Sequence, residues 1–382
     1  MVLIAATVAQ TAVSLVNFGL PSIGPELQEH YGLSLAELGA VLTAGLLGAG
    51  LVLLAAGVAV DHFGPRRPML AGTVLGASGL VAAALSSSMP TLMASLVAFG
   101  LGSAVVPIAG TGALFQVYPA ARRGWALGVR QMAVPLGGVI AAVTMPLLVR
   151  AGCVELAFAV AAGAVAVTGV SFALLAGGRP QPHAAPSQRA FRRIVRAPGM
   201  HLLLGVALFY IVVLQAIVSY LVPAVRDAGM SALVAAVAYF AINITAMVAR
   251  ITWGTVADLK GGSRRRRTLV ETGLVAAVGG VVFTFALHAG PVAAIAGAVL
   301  FGFGALGWNA LIYLSAGEMT SLELAARAVS VAATVIFLAS ALCTPLLGAV
   351  AARAGWDAFL ALTAVLALTG AYLASRLPDS IR

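Results

Sequence analysis

Charge is what this sequence lacks first. Asp, Glu, Lys and Arg together make up 9% of its 382 residues, where a soluble domain carries about 25%. Lysine is all but missing, since every basic residue except Lys260 is an arginine. Only two cysteines occur, Cys153 and Cys343, in or beside different apolar runs, which excludes a disulfide framework or a cysteine metal site. The five histidines are scattered without ligand spacing. No P-loop lysine motif exists, which argues against direct ATP use, and no nucleophile–base pairing points to an enzyme. No cofactor is expected.

What the chain has instead is apolar surface: 61% hydrophobic residues and a mean hydropathy of +1.05. One water-soluble core cannot absorb that much; a bilayer can, at roughly 20 apolar residues per spanning helix. The 43 glycines fit, because small residues let membrane helices approach closely. Breaks at polar, Pro and Gly positions delimit twelve spans. They run 2–23, 35–60, 68–87, 91–117, 124–149 and 155–177, then 201–225, 232–257, 268–288, 291–316, 328–350 and 356–376. Each is read as helix, since an isolated strand would leave its backbone unsatisfied in lipid. Residues 1–23 lack the charged start and small-residue cleavage site of a signal peptide and are read as the first span, with a start codon upstream of Met1 left open.

Twelve spans put both termini on one side. With the amino terminus inside, the inner face collects 17 of the basic residues, among them Arg66, Arg67, Arg122, Arg123, Arg192, Arg193, Lys260 and Arg264 to Arg267. The outer face holds only Arg150, Arg226 and Arg353. This bias orients the chain with both termini cytoplasmic and explains the +10 charge without nucleic acid; the expected location is the cytoplasmic (inner) membrane of a bacterium. The Pro-rich, basic stretch 178–200 reads as a cytoplasmic linker, with a short surface helix around "RAFRRIVR" as an option. It separates an N-terminal six-helix bundle, 1–177, from a C-terminal one, 201–382.

The halves echo each other. Pro21 matches Pro223 at an offset of 202, and Gly57 and Asp61 match Gly254 and Asp258 at an offset of 197. Parallel repeats with a site between them mark one large class of secondary transporter. Between spans two and three lies "GVAVDHFGPRR", which resembles motif A of the major facilitator superfamily: Gly57, Asp61, Phe63, Gly64, Arg66 and Arg67 keep the pattern, while His62 and Pro65 depart from it. "RITWGTVADLKGGSRRRR" is a degenerate copy with Arg250, Gly254 and Asp258 in place. The resemblance implies an all-α integral membrane protein with twelve helices in two six-helix bundles related by pseudo-two-fold symmetry. It also implies a gating latch at this loop and rocker-switch alternating access driven by a proton or substrate gradient. In that reading Gly57 lets two helices touch at the inner end of the bundle, and Asp61 caps a neighbouring helix amino end.

Polar stripes nominate a cavity. Thr7, Gln10, Thr11, Ser14 and Asn17 share one face of the first helix. Tyr239, Asn243, Met247 and Arg250 do so on the eighth, Gln215 and Ser219 lie on the seventh, Asn309 and Tyr313 on the tenth, and Ser330, Thr334 and Thr344 on the eleventh. Arg130 stands out. An arginine inside a span costs about 2.5–3.5 kcal/mol on insertion scales, although from about six residues inside the fifth span it could snorkel to the inner surface. No Asp or Glu falls in the middle of any span. Arginines beside amides and without acids favour a small anionic solute such as a carboxylate. The alternative is drug or metabolite efflux by proton antiport. The fifth span lacks the exporter signature, because Pro135-Leu136-Gly137-Gly138 has one residue too few before its glycine pair. "GFGALG", 302–307, is expected to lie inside the tenth helix as close packing, not as a nucleotide loop. The expected partners are therefore a small-molecule solute and the lipid bilayer, with no nucleic acid, and the protein is expected to work as a monomer.

Overall fold

A computed structural model describes residues 1–117, 130, 132–175, 188–258, 262–320 and 322–378. Among them every regular element is helical. The chain divides into two compact units, Met1–Ala185 and Pro186–Arg382.

The N-terminal unit opens with α1, Val2–Gly19. Pro21 then starts a 3-10 turn over Leu20–Ile23, and α2, Gly24–Tyr31, follows. This corrects the first span read from sequence, which continues unbroken through residue 23 into loop. The missing N–H of Pro21 instead tightens the chain into a turn. Helix α3, Leu35–Phe63, starts at a capping box in which Ser34 and Glu37 bond each other's backbone N–H. After it come α4, Arg66–Ala84, α5, Met89–Ser103, and α6, Val105–Val117. The last two correct the continuous fourth span read from sequence: the helix breaks at Ala104, so that Pro107 falls in the first turn of α6, where its missing N–H costs nothing. Helices α7, Ala133–Gly152, and α8, Val154–Leu175, complete the unit.

The C-terminal unit begins with the short α9, Gln188–Val195, on the stretch that the sequence offered as a surface helix. Helices α10, Met200–Asp227, α11, Ala232–Asp258, and α12, Gly262–His288, follow. The tenth span is also broken, into α13, Pro291–Ala305, and α14, Asn309–Glu318. "GFGALG" therefore does not lie wholly inside one helix: Gly304 packs within α13, and Gly307 sits in the break against Trp253. Helix α15, Leu322–Ser375, is one run only nominally. Gly355 takes φ +78° and ψ 171° in its interior, and its apolar 48 residues (328–375) are more than twice the length that a bilayer core needs. Among the described residues eleven helical segments are long and apolar enough to span, and the division of the last at Gly355 makes twelve.

Glycine sets the spacing of both units. A Cβ on Gly102 would strike the backbone of Gly72 and Gly76, joining α5 to α4, and one on Gly304 would strike Ala276 and Thr272, joining α13 to α12. Phe99-Gly100-Leu101-Gly102 and Phe301-Gly302-Phe303-Gly304 stand 202 residues apart, so the same seam is built twice. Phe99, Phe158 and Phe172 fill the interior of the first unit, and Tyr220, Phe283, Phe301 and Phe359 that of the second. Outward, large apolar side chains stand bare, with Val167 68% and Phe285 71% exposed, as a lipid-facing surface requires. The ion pairs of the described residues sit at span ends: His30 with Glu155 at 3.4 Å, His288 with Asp357 at 3.0 Å, and Arg265 with Glu318.

Candidate functional site

The first unit holds a buried guanidinium. Arg130, three residues before the described start of α7, is 4% exposed, so the snorkelling route open to it in sequence is not taken. Its Nη1 donates to Thr111 Oγ1 at 3.0 Å, and its Nη2 donates to the Pro107 carbonyl at 2.9 Å and to Gln10 Oε1 at 3.3 Å. Thr111 itself donates to the Pro107 carbonyl at 2.8 Å, which closes a small polar ring on α6. Nε is buried and has no acceptor among the described residues. It faces Gly110, where an added Cβ would come within 2.7 Å of it. No carboxylate of the described residues pairs with Arg130, so a full positive charge is held by three neutral acceptors.

The stripe on α1 sorts into two kinds of residue. Thr7 and Thr11 return their hydroxyls to carbonyls one turn back, Leu3 and Thr7. Gln10 and Ser14 are buried, and Gln10 Nε2 donates to Ser14 Oγ at 3.4 Å. Ser14 also lies in a helix contact, because a Cβ on Gly137 of α7 would come within 2.7 Å of its Cβ. Asn17 approaches Gly45 of α3, with 3.0 Å between its Oδ1 and a Cβ built there. The structure therefore brings Gln10 to Arg130, and Ser14 reaches the arginine only through Gln10, while among the described residues Asn17 bonds to neither. Thr111, Pro107 and Gly110 were missed from sequence. A glycine, a threonine and a proline in an apolar helix carry no signal until the arginine is placed beside them.

In the second unit the candidates fall into two groups. Gln215 Nε2 donates to Thr344 Oγ1 at 3.0 Å, and the Tyr220 hydroxyl donates to the Thr344 carbonyl at 2.6 Å, so α10 is tied to α15. Asn243 spends its amide one turn back on the Tyr239 carbonyl at 2.9 Å. Arg250, half-buried on α11, works at the break between α13 and α14, where its Nε donates to the Leu306 carbonyl at 3.4 Å. Trp253 Nε1 donates to the Phe303 carbonyl at 2.9 Å, and Trp308 Nε1 to that of Ala305 at 2.8 Å. A cation at the end of α13 also suits the negative end of a helix dipole. Asn309 opens α14 with its Oδ1 buried and without a donor among the described residues, and Tyr313 lies within electrostatic reach of Arg250.

At the loop between α3 and α4, Gly64 takes φ +73° and ψ 168°, a region essentially reserved for glycine. Arg66 and Arg67 are exposed in the first turn of α4, where a cation opposes the helix dipole, so helix stability is not their reason for being there. Among the described residues no close approach is made at Gly57 or at its counterpart Gly254: a Cβ at either would meet nothing within 4 Å. The side chains of Asp61 and Asp258 lie outside the described residues.

Residues 2–343 match the Major Facilitator Superfamily. An uncharacterized MFS-type transporter of Mycobacterium tuberculosis, in strains H37Rv and CDC 1551, is 30% identical over 134 residues, which is 35% of this chain. The match spans only 30% of the length of those relatives. Among solved structures, a bacterial homologue of the human lysosomal transporter Spinster superposes with a TM-score of 0.81 at 16% identity, covering 100% of this chain and 97% of that one. A D-xylose–proton symporter gives 0.79 at 14% identity, over 99% of this chain and 97% of its own. A peptide transporter gives 0.79 at 15% identity, over 98% and 93%. The apolar helices of the described residues, a glycine seam built twice and a family match across most of the sequence agree: the chain is a multi-pass membrane protein and belongs to the Major Facilitator Superfamily of membrane transporters.

Proposed function

We propose that this transporter moves a small organic anion, of the carboxylate class, across the bacterial cytoplasmic membrane by rocker-switch alternating access, with both termini cytoplasmic. The observation that carries the proposal is Arg130. A buried guanidinium with only neutral partners and a spare N–H attracts an oxyanion and repels a cation. Arg250 with Asn309 and Tyr313 supplies a second set of donors in the other unit. Gly57, Asp61, Gly64, Arg66 and Arg67, with Gly254 and Asp258, serve as the gate, and the orientation rests on the arginine bias of the loops.

The test is thermal unfolding of the purified protein against small carboxylates, other oxyanions, neutral solutes and lipophilic cations. A ligand at 100 times its Kd stabilises the folded form by about 2.7 kcal/mol. The expected result is a rise in Tm with particular carboxylates that vanishes in Arg130→Ala and in the bulkier Arg130→Met. Stabilisation by lipophilic cations alone, unchanged in both variants, would overturn the proposal.

A further inference from the structure

We infer that Gln10 is the movable occupant of the Arg130 site, a neutral amide that holds the place of the substrate's oxygen and is displaced by it. The inference rests on the anion reading above. A guanidinium grips an oxyanion through two parallel N–H groups, either Nε with Nη2 or Nη1 with Nη2. Both faces need a hydrogen of Nη2, and here both of those hydrogens are committed, one to the Pro107 carbonyl and one to Gln10 Oε1. An anion can reach a two-point grip only by evicting one of these acceptors.

The two acceptors are unequal. Pro107 offers a backbone carbonyl inside α6, which cannot turn away, at 2.9 Å. Gln10 offers the end of a three-torsion side chain at 3.3 Å, the longest of the three bonds. Its amide orientation is set by chemistry, because the reverse would aim NH2 at the guanidinium, and its only other bond among the described residues is a 3.4 Å contact to Ser14. Rotation of one side chain therefore frees an Nη2 hydrogen for use with the unpartnered Nε or with Nη1, while Thr111 and Pro107 hold the arginine in place. Gln10 then tunes affinity by competing with the ligand.

Two variants test this, read by the Tm response to graded acetate, lactate, benzoate and benzenesulfonate at pH 7. Gln10→Met keeps the volume but removes the competing oxygen, and the half-saturating anion concentration should fall about fivefold, the equivalent of one net hydrogen bond no longer surrendered. Gln10→Glu tethers a carboxylate at the same point, and the anion response should be lost while the unliganded protein stays folded. Lowering the pH to protonate the introduced carboxyl should restore the response to benzenesulfonate, which stays ionised; a merely structural role for Gln10 would give no such recovery. A weaker anion response in Gln10→Met, or an unchanged one in Gln10→Glu, overturns the inference while leaving the anion reading intact, provided Arg130→Ala abolishes the wild-type response. A wild type indifferent to the whole panel, or a response that survives in Arg130→Ala, removes the anion reading and this inference with it.

Discussion

Two glycines of one helix, Gly48 and Gly57 of α3, should answer oppositely to the same added methyl group. At Gly48 a Cβ would run into the carbonyl oxygen of Val97 and lie 3.0 Å from the Leu101 nitrogen, both backbone atoms of α5 that cannot rotate aside. Gly100 returns the contact, its own Cβ meeting the Gly45 carbonyl and lying 2.9 Å from the Ala49 nitrogen. The helices must therefore separate, and every dispersion contact along the seam weakens with them. Overpacking of this kind costs about 1–3 kcal/mol. At Gly57, nine residues and about 14 Å further along the helix, a Cβ meets nothing within 4 Å. There helix propensity decides the outcome, and it favours Ala over Gly by up to about 1 kcal/mol. Thermal unfolding of the two purified variants in the same detergent should place Gly48→Ala below wild type and Gly57→Ala at or above it. A Gly57→Ala protein that loses as much stability as Gly48→Ala, or a Gly48→Ala protein as stable as wild type, would refute the packing argument. The same pair separates packing from gating: if Gly57 serves the latch, its variant should lose flux while keeping its Tm.

Trp253→Phe removes the donor to the part-buried Phe303 carbonyl at the break after α13, and should cost about 1 kcal/mol in thermal unfolding, the net worth of one hydrogen bond. Gly64→Ala forces a side chain into φ +73° and ψ 168° and should lower Tm by the equivalent of about 1–3 kcal/mol, whereas Gly32→Asn, at a left-handed helix end, should be tolerated. His288→Ala breaks a pair whose members are each 66% exposed and should leave Tm within experimental scatter.

The helices were legible because lipid imposes them: a run of about 20 apolar residues has no other way to satisfy its backbone in a bilayer. Arg130 was legible for the same reason, as an ion in a place where ions are costly. What surrounds it was not. Gln10 precedes it by 120 residues, and Pro107 and Thr111 are ordinary members of an apolar helix, so only the packing of α1 and α6 around the arginine reveals them. The breaks at Ala104 and at 306–308 escaped because hydropathy does not register backbone direction. Their local cause was present in Pro107 and in the glycines up to Gly307, residues that packing alone also explains. At Gly57 the motif nominates a gate, and among the described residues a Cβ there meets nothing within 4 Å.

The central claim is that Arg130 receives an anion during transport. The direct measurement is uptake of a radiolabelled carboxylate, chosen as the strongest stabiliser of the wild type, into proteoliposomes holding wild-type, Arg130→Ala or Arg130→Lys protein. Wild type should show saturable uptake and Arg130→Ala none above empty liposomes. Arg130→Lys, which keeps the charge but loses the two-point grip, should retain a residual rate. Equal uptake by wild type and Arg130→Ala would contradict the claim.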